Sequence, residues 1–149
     1  MGTKHRGTAA EERALDTYIK LRRAVNFLSL REGEVVRDAG LTESQFGALE
    51  ALYHLGPLCQ RDLADKVLKS AGNMTTVVDN LERRGLVERR RDGADRRIVA
   101  VHLTSSGDEL VRAVFPRVVE ALVGAMSVLT AKDQNQLAAL CRRLGKAAS

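Results

Sequence analysis

The chain has 149 residues and a formal net charge of +5; 44% of its residues are hydrophobic but only 3% are aromatic. This length suits one compact domain, or a small domain with attached helices around an aliphatic core. Two distant cysteines and three scattered histidines argue against a disulfide framework and a metal site, and no bound cofactor is expected. No apolar run approaches the roughly 18 residues of a membrane span, and the N-terminus lacks the apolar segment of a signal peptide, so we expect a cytoplasmic protein with no membrane partner.

The first part of the chain is dominated by helical periodicity. Residues 1–8 are expected to be mobile, and the apolar positions from Ala9 to Ala39 predict a long helix with two apolar sides, which is typical of a helix with two neighbours. A capping box from Thr42 to Gln45 begins a second helix, which ends at Gly56-Pro57. A shorter helix, roughly Cys59 to Leu68, is expected to follow.

The centre of the chain combines a further helix with two short strands. The helix starts after a break at Ser70 to Asn73 and stops at Gly85, and strands at 86–90 and 97–103 enclose a turn at 92–95. Between Arg83 and Arg97 there are seven arginines and three acidic residues. A helix beside a basic hairpin can enter adjacent grooves of a nucleic acid, so this pattern predicts a winged helix that binds double-stranded DNA.

Two more helices, capped by Thr104 and Thr130, complete the chain. The expected fold class is mainly α: a winged helix-turn-helix lobe at 41–103 with a two-stranded wing, and N- and C-terminal helices at 9–40 and 104–149. These outer helices are too apolar to be solvated spacers, and their surplus apolar surface predicts a dimerisation region. The interface is expected to include Leu15, Ile19, Leu137, Leu140 and Leu144.

Polar side chains of the central helix and the wing are the candidate DNA contacts. On the helix, small polar side chains can approach base edges, and Ser70 or Asn73 can also cap it. In the wing, Asp95 can orient Arg97 for the minor groove, and Arg91 and Arg96 can contact phosphates; the alternative is an ordinary surface ion pair. The candidate contacts are Ser70, Asn73, Thr75, Thr76, Asn80, Arg91, Asp95, Arg96 and Arg97.

Three segments together resemble the MarR family of bacterial transcription regulators. Leu41–Phe46 is similar to the start of the family's second helix, Asn73–Val87 to its recognition helix, and Asp92–Arg97 with Leu103-Thr104 to its wing and next helix. The resemblance extends over nearly the whole chain. It implies a homodimeric repressor on a palindromic operator, which many relatives release when a phenolic or similar ligand binds, and a few release when a cysteine is oxidised.

The chain departs from the family pattern at Thr76, where a basic residue is common, and at Gly93-Ala94, where Pro-Arg is common. The base contacts and the tip of the wing are therefore expected to differ from those of relatives.

Two hypotheses describe how DNA binding is controlled, and a constitutive binder that responds to neither signal is the remaining alternative. The first is a pocket for an apolar or aromatic acid, lined by Phe27, Tyr53, His54 and Val111. The second is redox sensing by Cys59, which follows a turn at a helix start, where a thiolate is stabilised. Cys141, on the apolar side of the last helix, is expected to be inert packing.

Two other classes of protein are less consistent with the sequence. An enzyme is not expected, because no glycine-rich phosphate loop or nucleophile elbow accompanies His54, Cys59 and Asp62. A winged-helix module that binds another protein is the remaining alternative. The arginines between Arg89 and Arg97 argue against it, because a protein-binding wing has no need of so many unpaired cations.

Overall fold

The computed structural model describes residues 4–67, 71–91 and 97–146, and these residues form a mainly helical fold with one small antiparallel sheet. The helices are α1 (Ala9–Asp38), α2 (Glu43–Leu55), α3 (Gln60–Val67), α4 (Ala71–Arg83), α5 (Ser105–Met126) and α6 (Ala131–Lys146). The strands are β1 (Leu58–Cys59), β2 (Val87–Arg91) and β3 (Val99–Leu103). The predicted fold class, a mainly α winged helix-turn-helix, is confirmed.

Side-chain caps begin three of the helices where the sequence placed them. Thr42 accepts from the Gln45 N–H at 3.1 Å while the Gln45 side chain accepts from the Thr42 N–H at 3.0 Å, which completes the predicted capping box. Thr104 accepts from the Gly107 N–H at 3.1 Å and donates to the Gly85 carbonyl at 2.6 Å, so it joins the start of α5 to the end of α4. Thr130 accepts from the Asp133 N–H at 3.2 Å.

The sheet has three strands in the order β1-β3-β2, rather than the two strands of the predicted wing. Leu58 and Arg89 both pair with Val101, from opposite sides of β3. The prediction that Cys59 begins a helix is wrong, because Cys59 is paired with Ala100 and the helix begins at Gln60. Two residues are too few to show the alternation by which a strand is recognised in a sequence.

The chain divides into two compact units. One is Gly33–Val119; the other contains the described residues up to Glu32 and from Glu120 onward. The boundaries therefore fall within α1 and α5. In Gly33–Val119, large side chains such as Phe46, Leu63, Met74 and Leu81 are fully buried and form an aliphatic core.

The unit made of the two chain ends has no comparable core. Among its described residues, none is a buried hydrophobic, and α6 has no buried residue along its whole length. Its large apolar side chains are instead exposed: Tyr18, Val25, Phe27, Leu30, Val123, Val128, Leu137, Leu140 and Leu144. Leu15 and Ile19, the other two predicted interface residues, are partly exposed.

No single helix in the described part of the chain is both long enough and apolar enough to cross a membrane; α5 and α6 meet that criterion only when they are taken together as one bent pair.

Candidate DNA-binding surface

Helix α4 buries one face and exposes the other. Met74, Val78 and Leu81 are fully buried in the core, so the helical period turns the intervening residues outward. Asn73, Thr75 and Thr76 are exposed there, and Asn80 is partly exposed. The helix begins at Ala71. Asn73 is therefore its third residue and does not cap it, and the helix starts within the segment from Ser70 to Asn73 that was predicted to hold a break and a new start.

Two polar residues near the end of α4 are held by neighbours. Arg83 donates to the Asn80 side-chain oxygen at 2.5 Å. Bidentate recognition of adenine uses both the oxygen and the nitrogen of an amide, and the bond from Arg83 occupies one of the two lone pairs of the Asn80 oxygen. Arg84 donates to the Gly40 carbonyl at 2.9 Å and thereby joins the end of α4 to the loop before α2.

Strand β2 is attached to α4 through Arg89. The guanidinium donates to Glu82 Oε2 at 2.5 Å and to Asp79 Oδ1 at 2.7 Å, and these acceptors are one helical turn apart on α4. Burial, the largest single influence, lowers the pKa of Arg89, but hydrogen bonds and charge interactions with Asp79 and Glu82 together raise it above its ordinary value. Arg89 therefore remains charged throughout the neutral range and fixes the wing strand against the helix.

The arginines of the wing differ in their environments. Arg89 is paired with two carboxylates, and Arg90 is paired with Glu88 on the same strand. The assumption that the whole cluster consists of unpaired cations is therefore wrong. Arg91, the last residue of β2, and Arg97, two residues before β3, are exposed at the adjacent ends of the hairpin strands. Both can approach a nucleic acid from this end of the sheet.

Ser70, Asp95 and Arg96 lie outside the described residues, as do the predicted turn at 92–95 and the predicted pairing of Asp95 with Arg97. Asn73, Thr75, Thr76, Asn80, Arg91 and Arg97 all belong to the Gly33–Val119 unit and are distributed over α4 and the wing.

The four residues predicted to line an effector pocket belong to both compact units of the chain. Phe27 belongs to the unit of the chain ends, whereas Tyr53, His54 and Val111 belong to Gly33–Val119. Val111 is only 1% exposed and is part of the core. Tyr53 and His54 are on the last turns of α2.

Tyr53, His54, Arg112 and Phe115 form an aromatic and cationic cluster. The His54 ring is 4.9 Å from the Phe115 ring and 5.1 Å from the Tyr53 ring, both edge to face. The Arg112 guanidinium lies 5.5 Å from the centre of the Tyr53 ring. Hydrogen bonding to Asp108 and the charge of that carboxylate raise the pKa of Arg112, so the cluster contains a permanent cation. Sequence reasoning did not identify Arg112 and Phe115, because a four-residue spacing such as Asp108–Arg112 on a helix predicts an ion pair and carries no sign of a contact with a ring on another helix.

The cysteines are both free. Cys59 is partly exposed in β1, and Cys141 is exposed, so the prediction that Cys141 is packed is wrong for the single chain. Within the described residues, no group of three or more His, Cys, Asp or Glu side chains is arranged to hold a metal ion.

A helix-turn-helix with an exposed polar helix face and an attached basic strand defines the class of winged-helix DNA-binding proteins. The MarR family model matches residues 41–99. The uncharacterized HTH-type transcriptional regulator YkoM of Bacillus subtilis (strain 168) is 33% identical over 134 residues, which cover 90% of this chain and 87% of that protein. The chain belongs to the MarR family. It is a DNA-binding transcription regulator and not an enzyme, as the sequence predicted.

Two solved structures are similar along most of the chain. Bordetella bronchiseptica BpsR, whose DNA binding is regulated by 6-hydroxynicotinic acid, is 26% identical with a TM-score of 0.78, and the match covers 87% of this chain and 98% of that one. NadR in complex with 4-hydroxyphenylacetate is 25% identical with a TM-score of 0.75, and the match covers 98% of this chain and 99% of that one.

Proposed function

We propose that this regulator is a homodimeric repressor that binds a palindromic operator and releases it when a small aromatic acid binds. The observation that carries the dimer is the coreless unit of the chain ends. Apolar surface is stabilised by removal from water, and α1, α5 and α6 present it without burying it within the single chain. A second copy supplies the missing half of that core.

The DNA is read by α4 and the wing. Asn73, Thr75, Thr76 and Asn80 face the major groove with side chains small enough to approach base edges, together with Ser70 at the helix start. Arg97, oriented by Asp95, enters the minor groove, while Arg91 and Arg96 neutralise phosphates. In a two-fold dimer the two copies of α4 meet major grooves about 10 base pairs apart, so the operator is an imperfect palindrome of roughly 16 to 20 base pairs.

The effector binds at the cluster of Tyr53, His54, Arg112 and Phe115. Aromatic rings favour another ring at their edges, and a guanidinium pairs with a carboxylate, so the cluster fits a small aromatic acid. Both named ligands of the similar structures, 6-hydroxynicotinic acid and 4-hydroxyphenylacetate, have this chemistry. The cluster keeps Tyr53 and His54 from the predicted lining, whereas Val111 is buried in the core.

Selection of bound duplexes from a random DNA pool tests the DNA-binding part of the proposal, and sedimentation of the free protein tests the dimer. We expect a two-fold symmetric consensus and a dimer at micromolar concentration. A consensus without symmetry, or a monomer that binds with full affinity, would contradict the dimeric repressor.

A further inference from the structure

A side-chain amide connects the wing strand to the exposed face of the recognition helix. Gln60 is the first residue of α3 and follows β1 directly. Its Nε2 donates to Thr75 Oγ1 at 2.6 Å, and its Oε1 accepts from Arg89 Nη2 at 3.1 Å. An amide has one accepting end and one donating end. Because Arg89 occupies the oxygen, the nitrogen is the end that faces Thr75.

Arg89 is itself fixed by three acceptors. Its planar guanidinium reaches Asp79, Glu82 and Gln60 at the same time, and its side chain is only 27% exposed. A guanidinium holds several acceptors in a fixed geometry, which the single nitrogen of lysine cannot reproduce. Asp79 and Glu82 of α4 therefore fix the orientation of the Arg89 guanidinium. Arg89 fixes the orientation of the Gln60 amide, and that amide contacts the Thr75 hydroxyl.

Threonine in a helix divides between two side-chain rotamers, so an outside partner decides which one is populated. We propose that Arg89 and Gln60 are positioning residues that hold Thr75 in one rotamer and thereby set its base preference, without contacting DNA themselves. This rests on the proposed function in one respect, the assignment of Thr75 as a base contact. Under this proposal, part of the sequence specificity depends on β2 and on the start of α3, which do not contact the bases.

Three variants separate positioning from charge and from folding. Gln60→Met removes both amide bonds and leaves the ion pairs of Arg89 with Asp79 and Glu82 in place. Thr75→Val removes the hydroxyl and keeps the branched shape. Arg90→Met is the control, because it removes one positive charge from the neighbouring position of β2 and, among the described residues, breaks the pair with Glu88 and leaves Gln60 and Arg89 unchanged.

The DNA measurement is the base-preference profile of each full-length variant, obtained by selection from a random duplex pool. Gln60→Met should reduce the preference for the favoured base about five- to tenfold, at the same base pair where Thr75→Val reduces it. This is the effect expected when one hydrogen bond loses its geometry. The double variant should flatten it no further. Arg90→Met should keep the wild-type profile. A wild-type profile for Gln60→Met, or the same flattening for Arg90→Met, would overturn the proposal.

A DNA-free measurement tests the positioning step on its own. Three-bond couplings of Thr75, measured by NMR, should indicate one rotamer in the wild type and Arg90→Met, and averaging in Gln60→Met. Unchanged couplings in Gln60→Met would overturn the positioning role even if DNA is bound as proposed. An unchanged profile for Thr75→Val would instead overturn the assignment of Thr75 to a base, and with it the effect on specificity, while the couplings still decide whether Gln60 sets the rotamer.

Discussion

Two glycines of α5 have very different surroundings. A Cβ on Gly107 would lie 2.0 Å from the Leu86 carbonyl oxygen, whereas a Cβ on Gly124 would meet nothing within 4 Å. The absent side chain of Gly107 lets the first turn of α5 approach the backbone just before β2, where the Thr104 N–H donates to the same carbonyl at 3.1 Å.

We therefore expect Gly107→Ala to destabilise the fold by about 1–3 kcal/mol, because the obstacle is backbone and cannot rotate away. Gly124→Ala should stabilise the helix by about 0.5–1 kcal/mol, since alanine loses less conformational freedom on folding. Urea unfolding of both variants measures the two effects. Equal stability of the two variants would show that the close approach at Gly107 is absent in solution.

Arg97 and Arg91 allow the two modes of DNA contact to be separated at single residues. Arg97→Ala should weaken operator binding by about 1–3 kcal/mol and reduce sequence preference at the outer edges of the site, because a minor-groove arginine reads groove shape. Arg91→Ala should weaken all sequences alike and reduce the salt dependence by about one phosphate contact. Titrations of specific and random duplexes at several salt concentrations distinguish them. The same loss of specificity in both variants would contradict the assignment.

At the scale of elements, the capping box of α2 fixes where the helix-turn-helix begins. Thr42→Ala removes the acceptor of the Gln45 N–H and should cost about 1 kcal/mol of unfolding free energy. Thr42→Ser keeps the hydroxyl and should retain most of the stability. Thermal unfolding measures both. If alanine and serine behave alike, the box does not contribute in solution.

Elements with a strong local signal could be predicted from the sequence. The caps at Thr42, Thr104 and Thr130 each satisfy backbone groups within three residues, so a short pattern identifies them. Strand β1 could not be predicted, because its pairing partner is about forty residues away and its own pattern is two residues long.

The same limit applies to the candidate site. The exposed positions of α4 follow from helical period alone, and they were predicted. The bonds from Gln60 to Thr75 and Arg89 join residues 15 and 29 positions apart, and no local pattern indicates such pairings. The ion pairs of Arg89 were missed for the same reason, and the wing consequently looked more cationic than it is.

At the scale of the whole molecule, the coreless unit predicts that dimerisation and DNA binding are lost together. Leu140 is 50% exposed in the unit of the chain ends, and Leu55 is 55% exposed in the other unit. Burial of one leucine side chain stabilises a dimer by about 1.5–3 kcal/mol, and a two-fold dimer contains each interface leucine twice. Leu140→Glu should therefore raise the dimer dissociation constant by at least about a hundredfold.

Leu55→Glu makes the same chemical change at a similar exposure and should leave the dimer intact. Removal of the chain from Thr130 onward should abolish both the dimer and operator binding. Analytical ultracentrifugation and DNA titration at matched protein concentrations measure the two properties. A Leu140→Glu monomer that binds the operator with wild-type affinity would refute the coupling.

Control by an effector also belongs to this scale, because a ligand changes DNA affinity only if it prefers one state of the dimer to the other. With 4-hydroxyphenylacetate as the probe, saturation should weaken operator binding about tenfold, which requires about 1.4 kcal/mol of differential affinity. Arg112→Met should abolish this response, because it removes the cation that pairs with the carboxylate. Arg117→Met is the control, because it alters another exposed arginine of α5, whose Nη2 is 3.8 Å from Asp38 Oδ2. This variant should respond to the ligand like the wild type.

Cys59→Ser distinguishes this model from thiol sensing. Cys59 is only partly exposed and is held in β1 against Ala100, so an aromatic acid should still release the operator from the serine variant. Peroxide should have little effect on the wild type, since reaction requires access to the sulfur and Cys59 is only partly exposed. Fluorescence anisotropy of a labelled operator follows release in each case. Two results together would contradict control by the aromatic cluster and favour control by Cys59. Peroxide would release the operator from the wild type but not from Cys59→Ser, and Arg112→Met would respond to the aromatic acid like the wild type.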